Sequence, residues 1–248
     1  MDEEQASRSR RALRRRCVLL PTLLLAGCSP LGQSARVPVG PQYTAARAFL
    51  IAKQPEGAGY GLYSYLLFAA PPTPATRDLY RAAVTAYFEY LQPVEQLQAY
   101  RSRERLNVTY VPVKEPPPRA VATFEGGATD PAGATAWVLE HYDYARADVL
   151  LSTLGGTPHD GPYLVSCLRA LSVSDEPGTY LRQDLSGTPP EFVRAWLGEF
   201  LRQAATPADW NRTSLSKFVL TLRTAAAVSG SRWPQIVSTV KSRFIVAD

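Results

Sequence analysis

Six arginines, Arg8, Arg10, Arg11, Arg14, Arg15 and Arg16, stand directly before an apolar run over residues 17–27 (CVLLPTLLLAG). A basic segment followed by a short apolar one is the pattern of a secretory signal peptide, which is removed and takes no part in the mature fold. The run is too short to persist as a spanning helix, which needs about 20 apolar residues. Pro21 inside it also breaks the hydrogen-bond ladder of any helix there. The expectation is therefore an exported chain whose folded part begins after residue 27.

The apolar run ends in Leu25, Ala26, Gly27 and Cys28. Leu, two small residues and a Cys resemble the lipobox of bacterial lipoproteins. The resemblance covers about the first 29 residues, and it implies that the Cys28 thiol takes a diacylglyceryl group, that the peptide is cut before Cys28, and that the new amine is open to acylation. The alternative is an ordinary signal peptide or weak anchor in which the Cys stands by chance. At about 0.8 kcal/mol per buried methylene, one acyl chain binds marginally and two or three hold firmly. The first partner implied is thus the bilayer itself, through lipid on Cys28. In the better-studied lipoproteins Asp after the lipidated Cys retains the protein on the inner membrane; Ser29 stands here, which leans toward the outer membrane, facing the periplasm. Ser9, Arg10, Arg11, Ala12 and Leu13 also resemble part of a twin-arginine export signal, and both export routes stay open.

The formal net charge of +5 belongs largely to the leader. Residues 1–27 hold six of the 27 basic and three of the 22 acidic residues, leaving about +2 on the mature chain. A nucleic-acid partner would call for a strongly basic domain, so none is expected. Residues 28–248, in a chain that is 46% hydrophobic, suffice for one good core. The organisation read from this is a leader over 1–27, a lipidated Cys and tether over 28–42, and one globular domain over 43–248. Of three cysteines, Cys17 leaves with the leader and Cys28 is lipidated, so Cys167 stands alone and no internal disulfide forms. Its apolar neighbours Leu164, Val165 and Leu168 make it a small buried hydrophobe, with a reactive nucleophile and an intermolecular bridge as the alternatives.

Residues 29–42 are rich in Pro, Gly and Ser and read as a tether reaching roughly 40 Å. Two apolar runs, 47–52 and 60–68, flank a loop containing Pro55, Gly57 and Gly59; the simplest reading is an antiparallel hairpin. Leu79, Tyr80, Ala83, Val84, Tyr87, Phe88 and Leu91 recur at three and four, predicting an amphipathic helix stopped at Pro93, with a short helical piece over 95–100. Residues 106–113 (LNVTYVPV) alternate as a strand, and Pro112 suggests an edge or a strand end. Residues 114–133, with three consecutive prolines and the pair Gly126 and Gly127, read as a long loop and a candidate internal boundary. Asp130 and Pro131 then open a helix running to about Leu150, and residues 161–168 form a fourth strand. Thr188, Pro189, Pro190 and Glu191 have capping-box spacing before a helix carrying Phe192, Val193, Trp196, Leu197, Phe200 and Leu201. Two further helices are expected over 213–229 and 234–244. The fold class expected is α+β, a mainly helical domain packed on a small antiparallel β-sheet.

The chemical inventory is small. His141 and His159 are the only histidines, and HExxH, paired CxxC, GxSxG and P-loop patterns are missing from the sequence. No metal and no cofactor are expected. Glu140, Tyr144 and Asp148 would share a face of one helix while His141 points elsewhere, near Ala145; the readings are a polar face with a structural His, or an acid/base or metal role. His159 lies in a Gly-rich loop and could meet Cys167 in space. Tyr60, Tyr63 and Tyr65 crowd one strand, and Tyr63 and Tyr65 share its parity; if exposed, they offer a binding surface for glycan or protein. The function expected is a lipid-anchored envelope protein serving as a periplasmic binding or assembly module, with an envelope protein or cell-wall material as partner. The alternative is an anchored hydrolase using His159 with Cys167, or the His141 region.

Overall fold

The computed structural model describes residues 42–124, 130–155, 161–173, 178–207 and 210, and the backbone of Phe244–Ala247. Leu25, Ala26, Gly27, Cys28, the tether up to residue 41, His159 and the helix expected over 213–229 lie outside the described residues. The elements in chain order are β1 (Thr44–Ile51), β2 (Leu62–Phe68), α1 (Arg77–Tyr90), β3 (Gln92–Pro93), α2 (Val94–Gln98), β4 (Leu106–Val113), α3 (Arg119–Ala122), α4 (Ala132–His141), α5 (Tyr144–Thr153), β5 (Pro162–Cys167), β6 (Tyr180–Asp184), α6 (Pro190–Ala204) and β7 (Phe244–Ala247).

The strands form one seven-stranded sheet in the order β3-β1-β4-β2-β5-β6-β7. β3, β1, β4 and β2 run parallel, and β5, β6 and β7 continue the sheet antiparallel. This overturns the α+β expectation: the protein has an α/β-type fold on a large mixed sheet, not a helical domain on a small antiparallel one. The expected hairpin is the source of the error. β1 and β2 are not partners, because β4 lies between them and pairs with both. The ten residues that join them reach about 33 Å when extended, enough to run back along a strand of eight residues, about 26 Å long. A loop that reads as a turn is thus a crossover without a helix.

β4 is accordingly a central strand and not an edge, and Pro112 sits one residue from its end, the other position expected for it. Its carbonyl accepts from the Asp143 N–H at 3.2 Å, and β2 pairs with β4 only as far as Tyr110. The missing N–H of Pro112 points to the side where the ladder has already ended, so no sheet bond is lost. Every residue of β2, β4 and β5 is buried, as expected for strands covered on both faces.

Side-chain alternation assigns the two coverings. Arg47, Phe49, Ser64, Phe68, Thr109 and Ser166 share the face packed by α1, α4 and α6; Phe49 meets the rings of Tyr87, Phe88 and Trp137, and Phe68 lies 4.4 Å from Tyr80. Across that face runs a buried polar row, Arg47, Thr109, Ser64 and Ser166 on four neighbouring strands. Ser64 Oγ donates to Asn107 Oδ1 at 2.7 Å, so Ser166 donates to Ser64. Asn107 and Thr109, two residues of a glycosylation-type triplet, are therefore interior groups, 0% and 1% exposed. Tyr63, Tyr65, Tyr110, Val165 and Cys167 share the opposite face, covered by α5, the 52–61 crossover and the turn after β5.

The helix expected from Asp130 to Leu150 is two helices. Tyr142 leaves helical geometry, bridges to Val113, and its hydroxyl donates to the Leu66 carbonyl while accepting from Phe68 N–H. Glu140 and Tyr144 are thus on different helices, and the polar face proposed for them does not exist. Asp143 then caps α5 by accepting from Arg146 N–H at 3.0 Å. α6 begins at Pro190 as expected, but no side chain caps it, and Thr188 is buried. Residues 119–122 place a short helix in the expected long loop, and Val121 and Phe124 join the core. β6 was not foreseen, and Phe244, the last residue of the helix expected over 234–244, opens β7.

Candidate functional site

The parallel strands β1, β4 and β2 start at one end of the sheet, where Thr44 lies beside Leu106 and Leu62 beside Asn107. β5 ends there too, with Cys167 opposite Tyr63. Three segments meet at this end: the second half of the crossover, the turn over 168–173, and the stretch over 98–105. Between the first two lies a cleft of about 450 Å³ lined by Glu56, Tyr60, Tyr63, Leu168, Arg169 and Val173, with Gly57, Ala58 and Ala170.

Glu56 builds the cleft. It is 5% exposed, and its Oε1 accepts from Tyr65 Oη at 2.8 Å and from Ser172 N–H at 3.3 Å. Its Oε2 accepts from Ser172 Oγ, and Tyr65 Oη in turn accepts from Leu171 N–H at 2.9 Å. One carboxylate thereby ties the crossover to the turn after β5. Burial, and after it the Glu56 charge, push the Tyr65 hydroxyl well above the ordinary tyrosine value, so it stays a donor. Beside it Gly57 N–H donates to Tyr110 Oη at 3.0 Å, and the Tyr65 and Tyr110 rings are 5.9 Å apart.

Tyr60 and Tyr63 form the aromatic wall, edge to face at 6.0 Å, with Tyr60 N–H donating to Tyr63 Oη. Gln98 Nε2 donates to Tyr60 Oη at 2.6 Å, and the Arg103 guanidinium lies 5.8 Å from the Tyr60 ring. Burial raises the Tyr60 hydroxyl above its usual value, and the Arg103 charge works against that shift. Of the three tyrosines singled out in the sequence, Tyr60 and Tyr63 line the cleft. Tyr65, which is 0% exposed, supports it from beneath and is not a contact surface. Leu168 and Val173, 46% and 76% exposed, are apolar groups on its rim.

Of the groups expected for catalysis, Cys167 and His141 are not brought together, and His159 lies outside the described residues. Cys167 is buried in β5, and burial first, then the Glu56 charge, pushes its thiol far above the ordinary value, the reverse of what a nucleophile needs. His141 ends α4 near the far end of β4: Nδ1 is 2.9 Å from the Trp137 carbonyl, Nε2 is 3.2 Å from Glu115, and the ring stacks on Trp137 at 4.5 Å. Both ring nitrogens face oxygen atoms of the protein, so neither is turned to a substrate. Among the described residues no three His, Cys, Asp or Glu side chains could hold a metal ion, and no helix is long and apolar enough to cross a membrane.

Sequence reasoning missed Glu56, Arg169 and the turn over 168–173. Glu56 sits in a Pro/Gly loop as an ordinary polar residue, and only the contact between residues 116 apart in the chain turns it into a buried acceptor. Neither a family model, nor a curated protein, nor a solved structure matches the chain.

Proposed function

We propose that this protein is a lipid-anchored binding module of the bacterial envelope, held to the membrane through Cys28 and engaging an envelope protein or cell-wall material at the tyrosine-walled cleft. The observation that carries the reading is the cleft itself, a concave site with an aromatic wall, an apolar rim and few polar groups. Tyr is favoured at such surfaces because it presents a large rigid area with a polar tip. The folded chain also enters at this end, since Tyr43, one residue before β1, donates to the Ala205 carbonyl and packs beside Gly61. The hydrolase alternative has no support from Cys167 or His141, for the reasons of burial and engagement given above.

The test is crosslinking in intact cells followed by purification and mass spectrometry, comparing the native protein with Cys28→Ala and with Val173→Asp. A partner captured by the native protein and lost in both variants is the expected result. A confirmed lipid on Cys28 with no partner, or one indifferent to Val173→Asp, would reject the cleft as the binding surface.

A further inference from the structure

Arg47 is 1% exposed, in the middle of β1. Its two Nη groups donate to the carbonyls of Leu91 and Phe124, and its guanidinium lies 5.2 Å from the Phe88 ring and 6.0 Å from that of Phe124. These are neutral partners. No carboxylate among the described residues comes within ion-pair distance, and Arg47 Nε has no hydrogen-bond partner among them. A buried cation without a matching anion is costly, and strand packing alone does not call for one.

Beside Arg47, on the flank of β1 that faces β3 and α3, lies a second cavity of about 230 Å³. Among the described residues its wall carries one other charge, Glu95 in the first turn of α2, and apolar surface from Phe49 and Pro93. Glu95 is exposed, and it acts on Arg47 by its charge, yet the two side chains are not paired. One small cavity is therefore lined by a buried cation and by a separate, more exposed anion, together with apolar surface from Phe49 and Pro93.

From this juxtaposition we infer a second binding site that takes an α-amino acid or the zwitterionic end of a short amino-acid derivative, its carboxylate toward Arg47 and its ammonium toward Glu95. The two charges neutralise each other's ligand groups only when both are present on one molecule. A simple carboxylate meets the repulsion of Glu95, and a simple amine meets that of Arg47. Phe49 and Pro93 accept a small aliphatic side chain, and the cavity has room for one. The site is separate from the tyrosine-walled cleft, so the two readings stand or fall independently.

Calorimetric titration of the full chain with alanine, propionate and ethylamine tests the assignment. Alanine is expected to bind at least tenfold more tightly than either single-charge analogue. Glu95→Gln, at an exposed position that leaves the core intact, is expected to weaken alanine at least fivefold and to leave propionate unchanged or improved. Alanine and propionate binding alike would show an anion site only and overturn the zwitterion. No heat with alanine, from protein whose near-ultraviolet circular dichroism is native, would overturn the site altogether.

Discussion

Glu56 shows how one side chain can define a site without touching chemistry. It accepts from three donors, Tyr65 Oη, Ser172 N–H and Ser172 Oγ, and each is left unpaired if the carboxylate goes. Hydrogen bonds to a charged group are worth more than neutral ones, and an orphaned buried donor costs about 1–3 kcal/mol. Glu56→Ala is therefore expected to lower unfolding free energy by about 3 kcal/mol in a urea titration and to release the turn over 168–173 from the crossover. A loss below about 1 kcal/mol would mean that the tie is not formed in solution. Cys167 makes a second test at this scale. Burial keeps its thiol protonated, so a thiol reagent should modify the native protein only at the rate of global or local opening, and fully once it is unfolded. Rapid stoichiometric modification of the native protein at neutral pH would contradict the buried position.

At the scale of elements, the start of β2 is held by a close approach that admits no side chain. A Cβ on Gly61 would stand 2.1 Å from the Tyr43 ring and 2.3 Å from the Glu104 carbonyl. The carbonyl belongs to the backbone just before β4 and has little room to yield. Gly61→Ala is expected to cost about 3 kcal/mol, at the upper end for overpacking, and to displace Tyr60 and Tyr63 with the strand; unchanged thermal unfolding would show that β2 starts elsewhere. The same region explains where sequence reading succeeded and where it failed. α1 was legible because seven apolar side chains recur at helical spacing, and that stripe is buried against the sheet. β4 was legible as a strand but not as a central one. Its alternation of Val108 and Tyr110 with Asn107 and Thr109 looks half-solvated, whereas the polar half is buried in the row it shares with Ser64 and Ser166.

Across the whole molecule, burial of ionisable hydroxyls sets a limit on alkaline stability. Tyr65, Tyr87, Tyr110 and Tyr142 are all raised above the ordinary tyrosine value of 10.0, and Cys167 above 9.0, in each case mainly by desolvation. These groups hold their protons in the native state and lose them in the unfolded chain at the ordinary values. Their contribution is thus fully present below about pH 9, and it is lost as pH climbs through the unfolded values toward the raised native ones. Each group adds a slope of up to about 1.4 kcal/mol per pH unit, so the fall should be steep and cooperative. Urea midpoints measured from neutral pH upward should decline sharply above about pH 10; a midpoint unchanged well beyond that would mean that these hydroxyls are hydrated.

What the chain's own order of residues determined is local: the helix period of α1 and α6, the strand character of β1, β2, β4 and β5, and the crowding of Tyr60, Tyr63 and Tyr65. Each depends on neighbours within a few positions, where side-chain period and backbone preference act directly. Strand partnership depends on which distant segment arrives between two others. The insertion of β4 between β1 and β2 turned an expected hairpin into a parallel core, and with it an expected small sheet into a seven-stranded one. The same long-range contacts joined Glu56 to Ser172 and set Arg47 beside Glu95 without pairing them. Charges, hydroxyls and rings far apart in the chain become a cleft or a cavity only when tertiary packing removes the water between them.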